Sequence, residues 1–115
     1  MDIPSEDLPS EWFRGILDPC LLALVGDGET YGYELAGRLE DAGLGRVKGG
    51  SLYPSLARLE RQGWLASQWR AGDGGPGRKY YALTDAGRAE LTRRAQLWDV
   101  FATRVADVLG AEVAP

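Results

Sequence analysis

The chain has 115 residues, 44% of them hydrophobic and 26% charged, with a net charge of −4, one cysteine and no histidine. That length suits one globular domain, which is marginal alone because so much of its surface stays exposed, so association with another chain would help it. An intrachain disulfide framework and a Cys/His zinc site are both excluded.

Residues 1–13 are polar and contain Pro4 and Pro9, which predicts a loose arm, with Trp12 and Phe13 able to dock it on something apolar. The acidic start, Met1 to Asp7, lacks a signal-peptide pattern, so a cytoplasmic protein is expected. Asp18-Pro19 reads as a helix start, with Asp as N-cap and Pro at the first helical position. This first helix runs from Pro19 to about Val25, is apolar on nearly all sides and is therefore central. Cys20 within it reads as a small buried core residue, with a redox switch as the minor reading. At about six residues this is the longest apolar run, far below the roughly twenty that span a membrane. Gly26-Asp27-Gly28 ends it.

Thr30 is placed to cap a second helix, Tyr31 to Ala42, with Leu35 and Leu39 on one face and Tyr31 and Ala42 beside them. Gly43-Leu44-Gly45 closes it, and Gly49-Gly50 breaks the chain again. A third helix starts at Ser51 and reaches Gln62, with Pro54 in its first turn, where a missing amide does little harm. Leu52, Leu56 and Leu59 form its buried stripe; Tyr53, Arg58 and Arg61 fall away from that stripe. After Gly63 the period changes, and Trp64 to Arg70 reads as a strand. Residues 71–77 hold four glycines and a proline, a loop or hairpin tip. Arg78 to Leu83 is the returning strand, on which Tyr80 and Tyr81 alternate, so one packs inward. Thr84 caps a last helix, Asp85 to Leu109, on the order of 37 Å long.

Three short helices, a glycine-rich hairpin and a long helix make a mainly α fold with a small β-hairpin, the winged helix-turn-helix arrangement. Its third helix can enter a DNA major groove while the hairpin lies along the backbone or reaches the minor groove. The charge distribution agrees better than the total does. Residues 1–45 carry ten acidic side chains against two basic, whereas residues 46–94 carry ten basic against four acidic. A folded protein meets its partner with one face, so the local excess matters more. An enzyme is not expected, because histidine and any Ser/base/acid arrangement are missing and the glycines at 72–77 lack the Gly-Lys-Ser/Thr ending of a phosphate loop. A winged helix used only for protein contact stays open, favoured by the acidic first 45 residues.

Several stretches together resemble the PadR family of transcriptional regulators: Leu21-Leu22-Ala23-Leu24, Tyr31-Gly32-Tyr33-Glu34-Leu35, Ser51-Leu52-Tyr53-Pro54, Gly75-Pro76-Gly77-Arg78-Lys79-Tyr80-Tyr81 and Leu83-Thr84-Asp85-Ala86-Gly87. The likeness covers about residues 14–109, and the short C-terminal part resembles the smaller members. It implies a homodimeric repressor, in many members released from DNA by a small ligand. It also places the start of the third helix at the DNA, which gives Ser51 and Tyr53 contacts to phosphates or base edges, with Lys48 near a phosphate. Arg58 and Arg61 are candidate contacts on the same helix, a solvated face being the alternative. Arg78 and Lys79 sit in the position of a wing and suit a phosphate backbone, whereas Asp73 at the tip is mildly unfavourable. Tyr31 and Tyr33 read mainly as core or supporting residues, with a phosphate contact as the lesser reading.

The chain then divides into an arm (1–13), a winged helix-turn-helix domain (14–83) and a terminal dimerisation helix with its tail (84–115). So long a helix cannot bury itself on so small a domain. Leu91, Ala95, Trp98, Phe101, Val105 and Val108 form its apolar stripe, which is expected to pack on a second copy. Two-fold symmetry would present two recognition helices to a pseudo-palindromic operator about one turn (~34 Å) apart. The resemblance further suggests that Trp98 and Phe101, with Trp12 and Phe13, line a pocket for a flat aromatic effector; bulky packing is the plainer reading of Trp98. No cofactor and no membrane partner are expected.

Overall fold

In the computed structural model, which describes residues 2–72 and 74–110, the first residues are more ordered than a loose arm. They form a 3-10 turn at Ser5–Asp7 and a short helix α1 (Ser10–Arg14), with Pro9 at its N-cap, so this proline starts a helix. Phe13 packs against the core, while Trp12 is exposed. Helix α2 (Leu17–Gly26) begins two residues before Pro19. Asp18 therefore lies in its first turn rather than at its cap, and no side chain caps it. Pro19 falls where the amide has no intrahelical partner anyway. Cys20 is half-buried against the core, and desolvation pushes its thiol pKa up.

A two-residue strand β1 (Thr30–Tyr31) follows, and it is too short to leave any periodic signal. Thr30 is buried and donates its hydroxyl to Glu34 at 2.6 Å, so it does not cap the next helix as expected. Helix α3 (Gly32–Asp41) turns Leu35, Ala36 and Leu39 inward, but Ala42 just beyond it is exposed. Helix α4 (Gly49–Arg61) takes in the two glycines expected to break the chain, and Lys48 becomes its N-cap. Pro54 is thus its sixth residue, past the first turn, and the helix forgoes one bond to the Gly50 carbonyl. The predicted stripe is buried: Leu52, Leu56 and Leu59, joined by Ser55. Gly63, at φ 79°, ends the helix in the left-handed conformation, and the Trp64 amide closes back on the Leu59 carbonyl at 3.1 Å.

Strands β2 (Leu65–Gly72) and β3 (Gly75–Leu83) form the wing, and the sheet order is β1-β3-β2, all antiparallel. The glycine-rich segment expected as a loop mostly extends these strands. A Cβ on Gly77 would lie 2.9 Å from the Arg70 carbonyl oxygen, and one on Gly72 2.9 Å from that of Pro76. These glycines let two backbones meet closely. Asp73 lies outside the described residues. Tyr81 packs inward and Tyr80 outward, as their alternation requires.

Leu21, Leu22 and Val25 of α2 meet Leu35, Leu39, Leu56, Leu59, Leu65 and Tyr81 in one core. Each buried leucine there contributes on the order of 1.5–3 kcal/mol. Helix α5 (Asp85–Leu109) leaves this core like a mast. Thr84 caps it as expected, accepting from the Gly87 amide at 2.9 Å, and its hydroxyl donates to the Gly63 carbonyl at 2.7 Å. Gly87 rests on the corner at Trp64: a Cβ there would stand 2.0 Å from the Trp64 carbonyl oxygen. Leu91 still packs on the core, but Leu97, Trp98, Val100, Phe101, Val105, Val108 and Leu109 are exposed.

Candidate nucleic-acid interface

Helices α3 and α4 start side by side, because one aromatic ring ties them together. The ring of Tyr53 lies against the backbone of Gly32, where a Cβ would come within 2.6 Å of Cε1. A larger residue at Gly32 would push that ring aside, which links the Tyr-Gly-Tyr stretch to the Leu-Tyr-Pro stretch. Between the two helix starts is a groove of about 420 Å³, lined by Tyr33, Arg46, Val47, Lys48, Gly49 and Tyr53 among others. No side chain caps α4; the Ser51 and Leu52 amides bond the Lys48 carbonyl at 2.9 Å, which leaves those of Gly49 and Gly50, both exposed residues, at the positive end of the helix. Lys48 and Ser51 are exposed here, and Tyr53 is 53% exposed despite its anchoring ring.

The structure thus brings Lys48, Ser51 and Tyr53 together. It adds Arg46, which sequence reasoning counted only as charge. The Arg46 guanidinium lies 5.3 Å from the Tyr33 ring centroid and pairs with Glu40 at 3.3 Å. Tyr33 is exposed at this edge rather than in the core. Arg61 belongs to the other end of α4, about 20 Å from Lys48 by helical rise. Arg58 is occupied: it holds Asp18 of α2 through two nitrogens, Nε at 3.1 Å and Nη2 at 2.9 Å, and Nη2 also meets Ser55. That bidentate geometry makes Arg58 a strut between α4 and α2.

The wing presents two faces. On the outer face, Arg78 stacks over Tyr31 at 4.6 Å and Arg70 over Tyr80 at 4.7 Å, while the two tyrosines meet at 5.3 Å. Arg70 also pairs with Glu29. On the face turned to α4, Lys79 pairs with Glu60 at 3.0 Å, and Ser67 donates to the same carboxylate. The Ser67 hydroxyl and the Lys79 ammonium hold the Glu60 pKa below its ordinary value, and Glu60 raises that of Lys79. Adjacent in sequence, Arg78 and Lys79 therefore point to opposite faces. The pairing of Asp18 with Arg58 and of Glu60 with Lys79 leaves no sign in the sequence, because these partners stand 40 and 19 positions apart.

On α5, Trp98 and Phe101 pack on each other with centroids 6.0 Å apart, both largely exposed. Among the described residues there is no cluster of metal-ligand side chains, and no helix is long and apolar enough to cross a membrane.

A sequence profile of the transcriptional regulator PadR-like family matches residues 21–93. The chain belongs to this family. It is 42% identical over 87 residues to Transcriptional regulator Rv3488 of Mycobacterium tuberculosis, covering 74% of this chain and 79% of that one. Among solved structures, a PadR family transcriptional regulator from Eggerthella lenta superposes with a TM-score of 0.79 at 36% identity, over 89% of this chain and 88% of the other. A PadR-like transcriptional regulator from Bacillus cereus gives 0.75 at 35% identity, over 89% and 99%. The protein is thus a transcriptional regulator of the PadR family and not an enzyme, with the winged-helix fold and the DNA binding that this membership implies.

Proposed function

We propose that two copies join through α5 and place two α4 helices in successive major grooves of a pseudo-palindromic operator, about 34 Å apart, to repress transcription in the cytoplasm. Residues 14–83 are then the DNA-binding domain, residues 84–115 the dimerisation helix and tail, and residues 1–13 an accessory arm. The start of α4 carries this reading: the Gly49 and Gly50 amides, Lys48, Ser51 and Tyr53 lie together at the surface, a donor set that suits phosphates and base edges. Arg61 adds a cation at the far end of α4. Arg58, Arg78 and Lys79 reach a phosphate only by giving up their present partners, so they rank behind Lys48 and Tyr53.

Dimerisation is supported by the exposed stripe of Trp98, Phe101, Val105 and Val108, continued back through Ala95 toward Leu91. A flat aromatic ligand slipping between paired Trp98 and Phe101 side chains, with Trp12 near it, would relieve repression by shifting the helix pairing; Phe13 would support that site from the core. The test begins by sequencing DNA fragments retained by the purified protein. Tyr53→Ala, and Arg78→Ala with Lys79→Ala, should then weaken binding, the lost Arg78 phosphate contact flattening the salt dependence by about one unit of slope. Unchanged binding in both variants would refute this contact mode.

A further inference from the structure

We propose that Glu60 is a positioning residue for DNA recognition: it straps both strands of the wing to α4 and so fixes where the wing can lie on a duplex. Its carboxylate leaves the last turn of α4, pairs with Lys79 of β3 at 3.0 Å, and accepts the Ser67 hydroxyl of β2. Ser67 stands opposite Tyr81, and Trp69 opposite Lys79, so these side chains share the sheet face turned to α4. Each partner of the ion pair is only about one-third exposed, at 34% and 33%, which shields the contact from full screening by solvent. Beyond this point Trp69 is 70% exposed, and the next tie is on the other face of the sheet, where Arg70 pairs with Glu29.

The strap has a consequence that plain structural support would not have. Specific binding needs α4 and the wing on the duplex at once, in fixed register. Non-specific binding needs only cations near phosphates. Glu60 serves the first and opposes the second, since it keeps the Lys79 ammonium on a carboxylate and off the backbone. Neutralising Glu60 therefore separates the two: specific affinity falls, while affinity for random duplex holds or rises because Lys79 is released.

This inference rests on the DNA-binding reading above, and the experiment keeps the two apart. Wild type, Glu60→Gln and the exchanged pair Glu60→Lys/Lys79→Glu are compared on a selected operator duplex and on a random duplex of equal length, across a range of salt. Hydrogen exchange of the β2 and β3 amides is measured on the DNA-free proteins. Glu60→Gln should lower the operator-to-random affinity ratio about fivefold, the order of a direct pairwise coupling. It should steepen the random-duplex salt slope by about one unit. It should also speed wing exchange while leaving α2 exchange unchanged, and the exchanged pair should restore wing protection. An unaltered ratio, equal wing exchange, or failure of the exchanged pair to restore protection would overturn the strap. Wild type binding no duplex would instead overturn the DNA-binding reading, and the exchange comparison would still decide the strap.

Discussion

Three glycines with different surroundings should respond differently to the same substitution. Gly37 sits in mid-α3 with nothing within 4 Å of an added Cβ. Gly37→Ala should therefore stabilise by about 0.5–1 kcal/mol, the ordinary helix preference of alanine. Gly87 has no such room, because the Trp64 backbone carbonyl stands in the way, and a Cβ on Gly32 would displace the Tyr53 ring. Gly87→Ala should cost on the order of 1–3 kcal/mol in urea denaturation, the overpacking range, and Gly32→Ala less, because the Tyr53 side chain can swing aside. Gly32→Ala should also weaken operator binding, since it displaces the ring that holds the two helix starts together. Were all three substitutions neutral, the close approaches would be wrong. The motifs that carry the family resemblance thus have physical reasons that the sequence alone does not state: Gly32 and Tyr53 are a single contact, although 21 positions separate them in the chain.

At the scale of elements, caps and straps set how rigidly the parts meet. Thr84 holds the first turn of α5 and bonds the Gly63 carbonyl as well. Thr84→Ala should cost about 1 kcal/mol, in the range for a lost N-cap, read as a lower urea midpoint. The wing strap carries a pH signature. Glu60 faces Ser67 and Lys79, and its folded pKa lies below the ordinary 4.5. Its stabilisation is therefore complete above that value and is lost as pH falls through the lower folded value. Glu60→Gln should flatten the stability profile in that acid window and leave the neutral range parallel to wild type; an identical acid limb would contradict the pairing. The sequence shows helices and strands well where periodicity is long, as in the leucine stripe of α4 and the whole of α5. Its errors fall at boundaries. Asp18 and Thr30 have the right chemistry for caps, but long-range partners, Arg58 and the β3 strand, claim these positions first. The glycines at 72–77 read as a loop because composition does not reveal that two strands need to come close.

For the molecule as a whole, α5 decides the design. Its far half carries Trp98, Phe101, Val105, Val108 and Leu109 in water, at exposures up to 86%. A contiguous apolar helix face of this kind calls for a partner, and a second α5 fits the step of three and four. Phe101→Glu with Val105→Glu should leave the winged domain folded, with near-native circular dichroism, but shift the protein to monomer in sedimentation and lower operator affinity at least tenfold, since half-sites then bind singly. Planar aromatic ligands should quench tryptophan fluorescence and loosen operator binding together, and quenching should fall in Trp98→Phe. The local charge fits the same arrangement, since Arg46 and Lys48 both line the groove at the start of α4.

The most direct test is the affinity of the purified protein for a selected duplex as salt is raised, with stoichiometry read in the same titration. The account predicts two chains per duplex and a log–log line falling by several units of slope, since several phosphates are contacted. Affinity for no duplex at any salt, or tight binding by a single chain with no salt dependence, would contradict it.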